Sequence, residues 1–215
     1  MTISYTILNH DLAEPVADLI NFCFPDMTDE DRYVPEDLIL MADIFAEGAI
    51  VALKEPRKVV VGFGAGIFTD LDWRNLPERE SEILGDFCIH NHDPNGRFYY
   101  GSEFCVHPNY RRQRIGRKIY DLRKEVIVRN KKWGFFAASV LQGYSDYKHV
   151  LDIYEYLAKV ESRDLYDPTL TMQLRNDFQL IGPIHKFFDH PPADHWSAFI
   201  YWGNPELGKS NYKEF

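Results

Sequence analysis

The sequence predicts a mixed α/β domain whose centre is a strand, a crossover helix and a second strand parallel to the first. Two observations carry this. A strand-like run at 99–106 leads, through His107-Pro108-Asn109 and a basic loop, into an amphipathic helical stretch at 115–130 and then the continuously apolar run 135–141. A helix crossover forces the strands it joins to be parallel, and a strand apolar at every position is expected where both faces are covered. With strand and helix patterns on either side, residues 1–215 read as one domain with an insertion at 69–97.

The elements follow in order. Residues 3–8 read as a strand, and Asp11 starts a helix to about residue 23 with Leu12, Val16, Leu19, Ile20 and Cys23 at helical spacing. After the Phe24-Pro25-Asp26 break and a polar run to Arg32, a second helix runs from Pro35, favoured in a first turn, to Glu47, with Gly48 as its stop. Residues 49–53 and 59–68 read as an antiparallel hairpin. Its second strand carries Gly62, Gly64 and Gly66 at period two, a bare face on which a helix or chain packs closely. The same stretch is not a dinucleotide loop, because Ile67 stands at the third glycine position and the strand continues through it.

Residues 69–97 form a long polar connection, of the kind that serves as a lid or binding loop, and are assigned to the wall of an acceptor pocket. Its His90, His92 and Asp93 suit a metal pair or, equally, exposed loop positions. In the central helix Ile115, Ile119, Leu122, Val126 and Ile127 form the buried stripe, and Gly134 ends it. Ser145 is expected to cap a helix carrying Val150, Leu151, Tyr154, Leu157 and Val160. Asp167-Pro168 has the N-cap and first-turn chemistry for another helix to about Asn176. Residues 178–187 and 196–202 close the chain as two strands. His185, His190 and His195 recur between and within them, but Pro191-Pro192 breaks any regular face.

Bulk properties exclude several classes. No apolar run approaches the ~18 residues of a membrane span, and the N-terminus lacks the basic start and apolar core of a signal peptide. Cys23, Cys88 and Cys105 are odd in number and far apart, which suggests free thiols and a cytoplasmic location. The net charge of -9 speaks against nucleic-acid or anionic-membrane partners. Yet ten basic residues against two acidic ones lie between Arg111 and Lys132, leaving 14 basic and 31 acidic residues elsewhere. A basic island in an acidic chain suits a small polyanion, and the acidic remainder suits a cationic amine. Arg123 to Lys132 alone would also be explained as a solvated helix face.

Arg111 to Lys118 is less easily explained that way. A strand feeding a basic turn at a helix N-terminus is a recipe for holding phosphates, since the first helical N–H groups lack partners and the helix dipole adds positive charge. Val106-His107-Pro108 followed by Tyr110-Arg111-Arg112-Gln113-Arg114-Ile115-Gly116-Arg117 resembles the pyrophosphate loop of the GNAT N-acetyltransferases, Arg/Gln-x-x-Gly-x-Gly/Ala after a strand ending in Val-x-Pro. Arg114 stands where the first glycine is usual. The later run from Leu165 to Phe178, with Tyr100-Gly101-Ser102-Glu103 and Ile119 to Lys124, is similar to the branch of GNAT domains often fused to a nitrilase-like hydrolase. There Asp177 replaces a glycine before Phe178, and Ala137-Ala138-Ser139 replaces a glycine-rich strand. The transferase fold by itself accounts for the 215 residues.

The resemblance implies a GNAT acyl-CoA N-acyltransferase fold with a mixed sheet of six or seven strands, whose two central parallel strands splay apart to grip pantetheine. It implies acetyl-CoA as acyl donor, an unidentified primary amine as acceptor, no metal, no nucleic acid and no membrane, and it admits a homodimer. Carried onto this chain, Arg111, Arg112, Gln113, Arg114, Ile115, Gly116, Arg117 and Lys118 would hold the pyrophosphate, and Phe104, Cys105 and Val106 would offer backbone groups to the pantetheine. Glu103 is the candidate base, its alternative being an ion pair with a neighbouring arginine. Gln173 occupies the position of the family's tyrosine acid, so Tyr144 and then Tyr120 are substitutes, with water and plain core roles as alternatives. Cys105 reads as a strand residue and not a nucleophile. A CoA-binding module without turnover is the alternative to an enzyme.

Overall fold

The protein is described by a computed structural model over residues 2–85 and 89–214. Cys88 therefore lies outside the described residues. The strands are β1 (Ile3–Ile7), β2 (Ile50–Lys54), β3 (Val59–Thr69), β4 (Phe98–Val106), β5 (Gly134–Val140), β6 (Gln179–His185) and β7 (Trp196–Gly203). The helices are α1 (Ala13–Cys23), α2 (Pro35–Phe45), α3 (Glu80–Leu84), α4 (Ile115–Arg129), α5 (Ile153–Glu161) and α6 (Leu170–Leu174). The strands form one sheet in the order β1-β2-β3-β4-β5-β7-β6. Only the β4–β5 pair is parallel, as the crossover through α4 requires.

The glycine face of β3 meets α4. A Cβ at Gly64 would lie 2.7 Å from Ile119 Cγ2 and 3.2 Å from Arg123 Nη1, and one at Gly62 3.1 Å from both Ile115 and Ile119. The bare stripe lets a helix come closer than side chains would permit, and it makes room for an arginine. Arg123 is 2% exposed, donates from Nε to the Tyr99 hydroxyl at 2.9 Å and from Nη2 to the Ala65 carbonyl, and lies 4.7 Å over the Phe135 ring. Reading Arg123 to Lys132 as a solvated face therefore fails at two positions, since Lys132 is also buried and donates to the Pro94 carbonyl at 2.6 Å. A charged side chain survives burial when every donor finds a carbonyl or hydroxyl, and helical spacing does not reveal those acceptors.

Three expected boundaries shift. The 69–97 connection contains the short helix α3. Gly134 opens β5 where it was expected to end the preceding helix, which stops at Asn130 with Lys131 in the left-handed region at φ 54°. The helix after β5 begins at Ile153, not behind Ser145. Asp152 caps it, accepting from the Glu155 N–H at 2.8 Å while Glu155 accepts from the Asp152 N–H at 3.2 Å, and Val150 is left outside and exposed.

The Asp167-Pro168 motif does more than start a helix. The Asp167 side chain is fully buried and accepts from the Thr169 and Leu170 N–H groups at 2.9 and 2.8 Å, which is the expected cap. It also accepts from the Gly143 N–H and the Tyr156 hydroxyl, both at 2.9 Å. One carboxylate thus ties the turn after β5 to α5 and α6.

Candidate active site

β4 and β5 pair only from Phe98↔Gly134 to Gly101↔Ala137. Beyond that point β4 stays with β3 and β5 stays with β7 as far as Val140↔Ser197, so the two strands part. The parting coincides with a bulge: between Gly66↔Gly101 and Gly64↔Phe104, β4 uses three residues where β3 uses two. An extra residue bends the bulged strand away from its neighbour. The backbone edges of Ser102 to Val106 and of Ala138 to Val140 thus face each other with no strand between them. Among the described residues the buried hydroxyls of Ser102 and Ser139 have no hydrogen-bond partner.

One end of this gap is basic. Arg111, Arg112, Gln113 and Arg114 are exposed, and Arg111, Arg112, Arg114 and Arg117 make no ion pair among the described residues. Arg111 Nε donates to the Val106 carbonyl at 3.1 Å, which ties the loop to the last residue of β4. Lys118 pairs with Glu125 at 3.5 Å. Arg112 and Arg114 both adopt left-handed backbone, at φ 61° and 63°. The glycine usual at position 114 in the pattern is thus explained by conformation, and an L-residue holds it at a cost of about 1–2 kcal/mol. Asp177, which also replaces a patterned glycine, is left-handed too, at φ 64°. Ile115 is buried under the sheet, so only its backbone faces the loop. Gly116 permits close approach, because a Cβ there would lie 2.9 Å from the Phe104 ring.

The other end is acidic. Glu103 lies in the bulge, and its Oε1 accepts from the Tyr33 hydroxyl at 2.9 Å. Tyr33 is anchored to α1, where Asn21 accepts from its backbone N–H at 3.1 Å and donates to its carbonyl at 2.8 Å. Burial raises the Glu103 carboxyl above its usual range, opposed by the Tyr33 hydrogen bond and by Arg123. A second carboxylate comes from the long connection. Glu80 Oε1 accepts from the Tyr100 hydroxyl at 2.7 Å, and the backbone of Ala138, the first residue of β5 past the parting, meets the same hydroxyl. Burial pushes Glu80 up to about 8 against the Tyr100 hydrogen bond, and the negative charge of Glu103 adds to the rise. No ion pair holds either carboxylate among the described residues.

Glu80, Tyr33, Tyr100 and Arg123 were not singled out from the sequence. Tyr33 lies in the loop before α2 and Glu80 opens α3; neither belongs to a motif, and both reach the gap only through long-range hydrogen bonds to β4.

Glu80 makes a pH-dependent prediction. Unfolded, it releases its proton near about 4.3, whereas folded it holds it to about 8. The raised value means stability present at low pH and lost as pH rises between those limits. Glu80→Gln keeps an acceptor for Tyr100 without that loss. Its thermal midpoint should match wild type at about pH 5 and exceed it by several degrees at about pH 9. Equal offsets at both pH values in scanning calorimetry would contradict the raised, protonated state of Glu80.

The remaining candidates are distributed as follows. Phe104 packs its ring 4.7 Å from Tyr120, and Val106 ends β4. Cys105 is buried beside Cys23, and the neighbouring thiol together with burial holds it well above its ordinary value, so that it stays protonated. Two cysteines remote in sequence are thus neighbours between α1 and β4. Tyr144 is buried after β5 and donates to the Leu151 carbonyl at 3.2 Å. Gln173 Nε2 donates to the Tyr120 hydroxyl at 3.2 Å. His92 accepts from the Phe68 N–H at 3.2 Å and stacks on Phe45 at 4.1 Å, a packing role.

No sequence-family model matches the chain. It is 29% identical over 205 residues to the probable hydrolase YhcX of Bacillus subtilis (strain 168), a match covering 93% of this chain and 39% of that protein. It is 22% identical over 183 residues to the uncharacterized N-acetyltransferase YkwB of the same organism, covering 85% and 80%. The chain thus spans well under half the length of YhcX. Among solved structures, the GphF GNAT-like decarboxylase in complex with isobutyryl-CoA superposes with a TM-score of 0.76 at 18% identity, covering 95% of this chain and all of that one. The loading GNATL domain of CurA from Lyngbya majuscula gives 0.80 at 11%, covering 96% and 100%. The phosphinothricin acetyltransferase from Sinorhizobium meliloti, in complex with AcCoA, gives 0.60 at 13%, covering 94% and 89%.

Proposed function

We propose that this chain, which has the GNAT fold, is an acyl-CoA-dependent N-acyltransferase that transfers an acetyl group from acetyl-CoA to a primary amine by direct attack. One observation carries the reading: a gap between two parallel strands has, among the described residues, arginines without an ion pair at a helix N-terminus at one end and two half-buried carboxylates without an ion pair, Glu103 and Glu80, at the other. A polyanionic donor and a cationic acceptor would enter such a gap from opposite ends.

The pyrophosphate would lie on the first N–H groups of α4, with Arg111, Arg112, Gln113, Arg114, Ile115, Gly116, Arg117 and Lys118 around it, Ile115 and Gly116 through their backbone. Phe104, Cys105 and Val106 would offer their strand edge to the pantetheine amides. An alkylamine reaches the site as ammonium, with a pKa near about 10.4, and is a nucleophile only after losing a proton. Glu103 takes that proton, and Glu80 couples to it through their shared negative field. The amine nitrogen then attacks the thioester carbonyl carbon and the C–S bond breaks. The departing thiolate needs a hydrogen-bond donor, for which Tyr144 and Tyr120 are the candidate phenols.

A second reading has one observation in its favour: the TM-scores of 0.76 and 0.80 belong to GNAT-like domains, one a decarboxylase, and exceed that of the acetyltransferase. In this reading the chain removes a carboxylate from an acyl-CoA.

Calorimetric titration of acetyl-CoA into wild type and an Arg111→Ala, Arg112→Ala variant tests the donor site. Binding in wild type, weakened at least about tenfold in the variant and more so at low salt, is expected. Absence of binding to folded wild type would refute the acyl-CoA reading. Thiol release with amines, against carbon dioxide release from a carboxyacyl-CoA, separates the two reactions; binding without either leaves a CoA-binding module.

A further inference from the structure

We infer that Cys23 and Cys105 form a dithiol that a hydroperoxide oxidises to a disulfide, tying the end of α1 to β4 beside Glu103. The inference rests on the fold and stands apart from the acyl-CoA reading.

Two adjacent contacts lay the end of α1 along the end of β4. Phe22 stacks on His107, with ring centroids 4.9 Å apart and planes 12° from parallel. One residue further along α1, the Cys23 thiol lies beside the Cys105 thiol. The stack thus fixes two sulfurs side by side that are remote in sequence. Cys105 is 5% exposed, on a strand that pairs with β3 at Phe63. Cys23 is half-buried, so a small oxidant meets it before Cys105. Cys23 is also the last residue of α1, and Phe24 makes the final helical hydrogen bond, to the Ile20 carbonyl at 3.0 Å. The Cys23 carbonyl has no place in the helical ladder, so its backbone can adjust to a new bond without breaking the helix.

Interior cysteines are for the most part small packing groups. These two differ from each other as an oxidisable pair requires. The neighbouring Cys105 thiol lowers the Cys23 thiol below its ordinary value, burial opposes the fall, and the positive charge of Arg111 adds to it. The thiolate, the form that reacts, therefore belongs to the more exposed sulfur. That thiolate attacks one oxygen of the hydroperoxide, so that an S–O bond forms and the O–O bond breaks. The sulfur gives up two electrons, and the departing oxygen takes up the proton that Cys23 had released. Cys23 is now a neutral sulfenic acid. The negative charge that raised the Cys105 thiol is gone, while a backbone hydrogen bond from Phe63 still favours its thiolate. The Cys105 sulfur attacks the Cys23 sulfur, the S–S bond forms, the S–O bond breaks, and hydroxide leaves as water with the Cys105 proton. The crosslink reaches the acidic end of the gap. Asn21 of α1 holds the backbone of Tyr33, whose hydroxyl donates to Glu103, two residues from Cys105.

The test treats the reduced 215-residue chain with hydrogen peroxide, as wild type, Cys23→Ser, Cys105→Ser and Cys88→Ser, and maps unreduced peptides by mass spectrometry. Wild type and Cys88→Ser should each yield a peptide pair linked through Cys23 and Cys105, and dithiothreitol should reverse it. Cys105→Ser should stop at a Cys23 sulfenic acid that dimedone traps. In Cys23→Ser, Cys105 should react at least about tenfold more slowly than in wild type. The oxidised wild type should melt several degrees above the reduced protein, because the bond closes a long loop of the unfolded chain. An unreactive Cys23, a link made through Cys88, or Cys23 carried on to sulfinic acid with Cys105 still free overturns the inference. So does undiminished reactivity of Cys105 in Cys23→Ser. A lower thermal midpoint on oxidation overturns it as well, since the fold would then have to distort to bring the sulfurs together.

Discussion

Glu103→Gln is expected to lower turnover by about 10²–10⁴-fold, the range of a lost general base, while leaving acetyl-CoA affinity unchanged. Glutamine still accepts the Tyr33 hydrogen bond, so the geometry of the bulge should persist. What disappears is the ability to take a proton from the incoming ammonium. The rate of wild type should therefore rise through an acidic limb set by a carboxyl above its usual range, and the variant should lose that limb. Because Glu80 is coupled to Glu103, the limb belongs to the pair. Full turnover of Glu103→Gln across the pH range would remove Glu103 from the chemistry. A loss confined to Glu80→Gln would move the base to the long connection.

Asp167→Ala should be the most damaging single substitution for stability, by about 3–5 kcal/mol. It would strand the N–H groups of Gly143, Thr169 and Leu170 and the Tyr156 hydroxyl in a dry interior. A fall in thermal midpoint of about 10 °C is expected for a domain of this size. The effect should extend to function, since α6 carries Gln173 and the turn at Gly143 follows β5, one wall of the gap. Asp167→Asn keeps one oxygen as acceptor and should lose less. A change below about 1 kcal/mol in denaturant unfolding of Asp167→Ala would show that water replaces the carboxylate.

The two substituted glycine positions bear on how far a motif can be read. Arg114 and Asp177 interrupt the expected pattern, yet the backbone keeps the left-handed conformation for which glycine is the usual choice. The conformation is dictated by the loop–helix junction and by the turn into β6, and the surrounding contacts outweigh a penalty of about 1–2 kcal/mol.

What the sequence by itself determined is local or periodic. The unbroken apolar run of β5, the stripe from Ile115 to Ile127, the period-two glycines of β3 and the basic turn before α4 follow from spacing and backbone chemistry. Together with one crossover helix they dictate a parallel central pair. What tertiary structure alone decided is every pairing across long sequence distance: Tyr33 with Glu103, Tyr100 with Glu80, Gln173 with Tyr120, Cys23 with Cys105 and Arg123 with the Ala65 carbonyl. The physical reason is that burial and hydrogen bonding set the protonation and availability of these groups, and both depend on neighbours that residue order does not specify. Glu80 is an unremarked residue of a polar loop until α3 folds over β4.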